Sequence, residues 1–316
     1  MAGRCRAVVT ITQLALGGLA ILAQSAPVAS AAPGSVPCRG QITGTLELRQ
    51  LDSRVFGNSR TLRVLLPAGY GEPANARRRY PVLYLLDGQN LFDACLSPYS
   101  HREWQVDETV ARLVAEGRIP PLIVVGIDNA GSAREHEYLP FPDELQGPAT
   151  AQPGGRRFPE FLASEVLPFI DGRYRTQSGA AHTGIGGSSY GGIAALYALV
   201  QRPAVFGHAL IESAPLWIGH GQLLRDACAA PARPGRVSIG VGCKESDDPR
   251  TAMRMVALAR ELGRCLVAGG RKPGSVRVQV DPQARHTEDA WAARLPSALQ
   301  FLLGEGQDAG TMPAGQ

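Results

Sequence analysis

Apolar positions recur along the chain in two rhythms. Short runs of aliphatic and β-branched residues, each closed by Gly, Pro or polar residues, occur at 43–49, 61–66, 81–86 and 121–127, and four more follow at 182–187, 207–213, 236–242 and 275–280. The fifth and sixth carry the weakest strand composition. A helical period fills the intervals. In 103–116, Val106, Val110, Leu113 and Val114 fall at i, i+4, i+7 and i+8, and 158–170, 190–202, 250–268 and 287–303 read the same way. From the third strand onward strand and helix alternate, which predicts an α/β fold, a mostly parallel sheet of about eight strands with helices on both faces. Ligand chemistry in such sheets lies beyond the carboxyl ends of the strands, so functional residues are expected just after strands. Residues 128–157 keep no period and are longer than an ordinary connection. Their place after the fourth strand predicts a substrate-shaping loop.

With 316 residues, 44% hydrophobic and 19% charged, the chain can bury one large core. Its net charge of +4 is spread without a block able to track a phosphate backbone, which argues against a nucleic-acid partner. Arg4 and Arg6, an apolar run from Ala7 to Ala23 and the small residues Ala29-Ser30-Ala31 predict a signal peptide over 1–31. A linker (32–42), a folded domain (43–304) and a disordered tail (305–316) complete the expected organisation. Thr10, Thr12 and Gln13 interrupt the apolar run, which argues against a retained anchor, and no other stretch approaches the roughly 20 apolar residues that span a bilayer. A secreted or periplasmic protein is expected. Loss of Cys5 with the signal leaves Cys38, Cys95, Cys228, Cys243 and Cys265, so one or two disulfides and at least one cysteine unpaired within the chain are expected. No Cys-x-x-Cys unit and no His at zinc spacing from a Cys point to a structural metal.

Between the fifth strand and the apolar helix after it lies Gly187-Ser188-Ser189-Tyr190-Gly191. A serine in a strained strand-to-helix turn needs small neighbours two residues either side, which Gly187 and Gly191 supply, and this context makes Ser189 a candidate nucleophile. A serine hydroxyl reacts only when a base takes its proton and a third group orients that base. After the seventh strand come Glu245, Asp247 and Asp248, and after the eighth comes His286, the order Ser, acid, His that the nucleophile-elbow architecture requires. Of the six histidines, His286 alone follows the last strand and precedes the closing helix, which Thr287 is placed to cap. Glu245, nearest the strand end, is favoured as the acid over Asp247, while Asp247 and Asp248 precede Pro249 and suit a helix cap. An oxyanion hole needs two N–H groups: that of Tyr190, after the nucleophile, and one from the loop after the third strand, Asp87-Gly88-Gln89-Asn90, where Gln89 is the candidate.

These segments together resemble the putative-esterase family of α/β-hydrolases, which includes esterase D, enterochelin-type siderophore esterases and feruloyl and acetyl xylan esterases. The resemblance covers roughly 44–304 and rests on Arg60-Thr61-Leu62-Arg63-Val64-Leu65-Leu66-Pro67, on Tyr80 through Asp93, on Val125 through Asn129 with Arg134 and Tyr138, on the Ser189 elbow, and on Gly242 through Glu245 with His286 through Trp291. It implies a triad of Ser189, Glu245 and His286, hydrolysis of a small-molecule or carbohydrate-linked carboxylic ester through an acyl-enzyme, and no metal or organic cofactor. Two alternatives stay open, an acyltransferase like the secreted mycolyltransferases and a binding module keeping the fold without the chemistry. Trp104, Arg134, Tyr138 and Trp217 are candidate substrate contacts, with Trp104 and Trp217 equally suited to packing and Arg102 and Arg134 equally suited to a solvated surface.

Overall fold

The computed structural model describes residues 41–97, 101–143 and 153–304. The expected signal peptide, all but the last two residues of the linker, and the expected tail lie outside the described residues.

Eight strands form one sheet in the order β1-β2-β4-β3-β5-β6-β7-β8. They are β1 (Thr45–Ser53), β2 (Asn58–Leu66), β3 (Val82–Leu86), β4 (Ile123–Ile127), β5 (Thr183–Ser188), β6 (His208–Glu212), β7 (Val237–Lys244) and β8 (Val276–Arg285). β1 and β2 form an antiparallel hairpin and β2 runs antiparallel to β4, while all pairings from β4 to β8 are parallel. The helices are α1 (Val106–Ala115), α2 (Arg134–Tyr138), α3 (Phe158–Phe161), α4 (Leu167–Asp171), α5 (Tyr190–Gln201), α6 (Ile218–Ala229), α7 (Pro249–Ala268) and α8 (Glu288–Leu303). This is the α/β-hydrolase architecture.

Both faces of the sheet are covered, so its central strands are apolar throughout, and the alternation of side chains deals each strand into two cores. On β3, Val82, Tyr84 and Leu86 enter the larger core, with residues of α5, α6 and α7, while Leu83 and Leu85 enter the second, with residues of α1 and α8. β5 forms despite glycines at 184, 186 and 187 because it lies between β3 and β6, hydrogen-bonded on both sides. Its glycines are a fitting requirement: a Cβ on Gly186 would stand 2.8 Å from Leu210 Cβ.

Three departures from the sequence pattern have physical causes. The predicted helix 103–116 begins only at Val106, because Gln105 adopts a left-handed backbone (φ 53°) and the Trp104 N–H is engaged by the Asn90 carbonyl at 2.9 Å. The 158–170 helix is broken by a π-turn at Leu162–Val166, ahead of Pro168, which has no N–H to give. α6 had no readable period, since its first turn contains Gly219, His220 and Gly221, all at positive φ. The 128–157 segment contains α2 and is pinned to itself where it closes, Gly155 N–H donating to the Leu139 carbonyl at 3.0 Å; residues 144–152 lie outside the described residues.

Cys228 and Cys265 form a disulfide joining α6 to α7, Cys95 is also disulfide-bonded, and Cys243 is free and exposed. Among the described residues no helix is long and apolar enough to cross a membrane.

Candidate active site

The turn from β5 into α5 holds Ser189 at φ 55°, ψ −126°, a conformation that costs a non-glycine residue about 1–3 kcal/mol and persists only where surroundings impose it. The constraint is visible. Ser189 N–H donates to the Glu212 carbonyl at 2.9 Å, tying the turn to β6, and a Cβ on Gly187 would meet the Gly191 carbonyl carbon at 2.7 Å. Ser188 is buried but Ser189 is only half-buried, so the strained residue is the one the turn lifts towards solvent.

Glu245 and His286 meet because their strands are neighbours. β7 and β8 run parallel, Lys244 pairs with Arg285 across a bulge, and the residues that follow the two strands are Glu245 and His286. Their side chains join through His286 Nδ1 and Glu245 Oε2 at 2.7 Å. The other carboxylate oxygen, Oε1, accepts from Gly242 N–H and from the Ser213 hydroxyl, both at 2.6 Å. Burial pushes the Glu245 carboxyl up, but the hydrogen bonds from His286, Ser213 and Gly242 outweigh it and hold the group below its ordinary value. Trp291 stands edge-on to the His286 ring, centroids 5.2 Å apart. The other two acids of the loop are engaged elsewhere. Asp247 is 98% exposed and pairs with Arg285, and Asp248 caps α7 by accepting from Arg250 N–H and Thr251 N–H. Thr287 occupies the N-cap position of α8 but makes no side-chain capping bond.

Behind Glu245 lies a buried polar layer that sequence reasoning missed. Ser213, at φ 48° just after β6, donates to Glu245 and accepts from Trp291 Nε1 at 2.9 Å and from Arg294 at 3.4 Å. Arg294, on α8, forms a buried ion pair with Glu212 at 2.8 Å. Burial pushes the Glu212 carboxyl upward and Arg294 opposes it. The only signal was an arginine at a core position of α8, which a hydrophobicity pattern reads as a surface residue.

The loop after β3 is equally constrained. Asp87 is left-handed (φ 58°), and its carboxylate takes a bidentate pair from Arg134 at 2.7 and 2.8 Å and a bond from Asn129 Nδ2 at 2.7 Å. Gly88 has no room for a side chain, since a Cβ would meet Asp128 Oδ1 at 2.6 Å. Gln89 follows, its Oε1 accepting from Asn129 N–H at 3.2 Å. A Cβ on Gly191 would lie 3.0 Å from Asp87 Oδ2, so the loop borders the elbow. Tyr190 packs beneath the Arg134 guanidinium, 5.6 Å from its ring centroid, and its hydroxyl donates to Asp143 at 2.8 Å.

Of the four candidate substrate contacts, three have structural employment. Trp104 is 2% exposed and packs on Trp291 in the second core. Tyr138 is fully buried, its hydroxyl accepting from Asp87 N–H at 3.2 Å. Arg134 is bound to Asp87, and Arg102 pairs with Asp289. Trp217 is different: it lies between β6 and α6, half-buried, with Arg254 over its ring at 5.3 Å. Among the described residues no three His, Cys, Asp or Glu side chains converge as metal ligands would.

Comparison with known proteins identifies the family of the chain. The sequence profile of the family described as "Putative esterase" matches residues 53–302. The uncharacterized protein YbbA of Bacillus subtilis is 20% identical over 258 residues, which are 81% of this chain and 96% of that protein. The siderophore enterobactin esterase of Emericella nidulans is 30% identical over 168 residues, 50% of this chain, and the match spans about half of that protein (51%). Among solved structures, an IroE-like serine hydrolase from Shewanella oneidensis superposes with a TM-score of 0.64 at 22% identity, covering 81% of this chain and 79% of that one. The chain is a member of the putative-esterase family of α/β-hydrolases, enzymes of carboxylic ester hydrolysis.

Proposed function

We propose that the chain hydrolyses small-molecule carboxylic esters through a covalent acyl-enzyme, with Ser189 as nucleophile, His286 as general base and Glu245 as the acid that orients it. The observation that carries this reading is the 2.7 Å bond between His286 Nδ1 and Glu245. With Nδ1 held as donor to a carboxylate, the tautomer is fixed and Nε2 is the nitrogen free to accept the serine proton.

The chemistry runs in two halves. Ser189 Oγ attacks the ester carbonyl carbon as His286 takes its proton, the carbonyl oxygen becomes an oxyanion, and the N–H groups of Tyr190 and Gln89 receive that charge. Collapse expels the alcohol, which leaves with the proton from His286, and Ser189 stays acylated. Water, deprotonated by His286, then attacks the acyl carbon and releases the carboxylic acid with Ser189 restored. Glu245 stays ionised throughout, which agrees with the hydrogen bonds that hold its carboxyl below the ordinary value. The sequence of residues 1–31 supports export before this chemistry takes place.

A fluorophosphonate probe tests the reading, because it phosphonylates only an activated serine. Labelling of the purified chain is expected, with none in Ser189→Ala; undiminished labelling in Ser189→Ala overturns the nucleophile. Turnover of short-chain, feruloyl, acetyl-xylan and trilactone esters, with the product identified as free acid rather than a transesterified alcohol, defines substrate and acceptor. The Emericella relative makes the trilactone the first to try.

A further inference from the structure

At the opposite end of the sheet lies a cavity of about 670 Å³ whose walls hold four arginines, Arg78, Arg118, Arg236 and Arg277, and no aspartate or glutamate. Arg236 immediately precedes β7, Arg277 is the second residue of β8, and Arg118 lies ahead of β4. All three therefore stand at the amino ends of strands whose carboxyl ends face the Ser189 site. Arg236 precedes and Glu245 follows the eight residues of β7, so at about 3.3 Å per residue roughly 30 Å of strand separates them.

Three of these side chains gather on one face of the last turns of α8. Arg236 donates to the carbonyls of Phe301 and Gly304 at 3.1 and 2.8 Å, Arg277 to that of Ser297 at 3.1 Å, and Arg118 to the side chain of Gln300. Capping the negative end of a helix accounts for part of this, but that end carries only about half an elementary charge. Each guanidinium has five N–H donors and spends one or two here. Among the described residues none of the four arginines forms an ion pair. Like charges converging on a concave wall repel, and the field they focus into the cavity is attractive to a counter-ion.

We propose that this cavity is a binding site for a small polyanion, a compact molecule carrying about four negative charges on phosphate or carboxylate groups, separate from the ester-hydrolysing site. Guanidinium forks match the oxygens of both groups in bidentate geometry. The volume lies within the range of roughly 300–1,000 Å³ usual for small-molecule sites, which favours a compact ligand over a polymer lying across a basic surface.

Titration calorimetry on the full chain at physiological ionic strength tests this without any turnover, so its outcome is independent of the esterase reading. Tripolyphosphate and citrate are the two probes, and the tighter of them identifies the phosphate or the carboxylate source. One molecule bound per chain is expected. In Arg78→Gln/Arg118→Gln, whose positions are exposed, binding should weaken at least about tenfold, the loss of one charge-assisted hydrogen bond or more. Arg250→Gln/Arg260→Gln removes the same charge from exposed positions of α7 outside the cavity and should leave binding unchanged. Absence of binding by both probes, equal weakening in the two double variants, or binding of heparin with neither small anion overturns the proposal.

Discussion

Ser213 donates its hydroxyl hydrogen to Glu245 Oε1 at 2.6 Å while accepting from Trp291 Nε1 at 2.9 Å, so one hydroxyl joins the end of β6 both to α8 and to the carboxylate that meets His286. Segments distant in sequence thus meet at one serine hydroxyl. Glu245 is fixed from behind as well as through His286, so its orientation does not depend on the imidazole alone.

Ser213→Ala should therefore act on rate rather than on binding. It leaves the Trp291 N–H and one Glu245 lone pair unpaired in a buried place, at a stability cost of about 1–3 kcal/mol. A small displacement of the carboxylate carries into the imidazole, and a shift of this kind costs roughly 100-fold in kcat with KM little changed. Steady-state kinetics on a soluble ester beside a urea denaturation curve measures both. Ser213→Thr, which keeps the hydroxyl, should recover a large part of the rate.

Asp87→Ala should damage both stability and turnover. It removes the carboxylate from a largely buried ion pair with Arg134, a loss of about 3–5 kcal/mol by chemical denaturation. Because Asp87 also sets the loop that carries Gln89, kcat should fall with it. Full activity in a destabilised Asp87→Ala protein would separate this loop from the oxyanion.

Thermal stability should decline as pH rises from about 4 to about 7. Burial, reinforced by Glu108, Asp107 and Asp93, pushes the Glu103 carboxyl up to about 7, and burial likewise carries Asp107 to about 7 against the bond from Thr43 N–H. Between the unfolded value near 4 and the folded value near 7 the folded state binds more protons than the unfolded one, so stability falls through that window as pH rises. Melting scans across it should show a loss of a few degrees, and Glu103→Gln should flatten the slope. A slope unchanged in that variant would assign the effect to other groups.

Removing the Cys228–Cys265 disulfide should lower stability by about 4 kcal/mol, since it closes a loop of 37 residues. Cys228→Ala/Cys265→Ala, compared with the parent by guanidinium denaturation, measures the loss. Activity at temperatures well below the transition should persist, because Cys228 and Cys265 lie near the C-terminal ends of α6 and α7, whereas Glu245 precedes the start of α7.

All eight strands and the order of the catalytic candidates were legible in the amino-acid sequence, the central β3 and β4 because strands buried on both faces must be apolar along their whole length, and the elbow because it demands glycines at 187 and 191 whatever surrounds them. Fold class followed from alternation alone. Among Glu245, Asp247 and Asp248 the sequence favours Glu245 only by its nearness to the strand end; the register of β7 on β8 brings Glu245 to His286, while Asp247 pairs with Arg285 and Asp248 caps α7. Ser213, Arg294 and Glu212 were invisible for the same reason, since a buried polar group is tolerable only when partners from distant segments arrive to satisfy it. Arg134, Tyr138 and Trp104, readable as substrate contacts from their types, are occupied by Asp87 and Trp291. The sequence by itself determined which elements form and in what order the reactive residues come; the tertiary structure decided which polar side chains face one another, because that depends on the pairing and packing of segments dozens of residues apart.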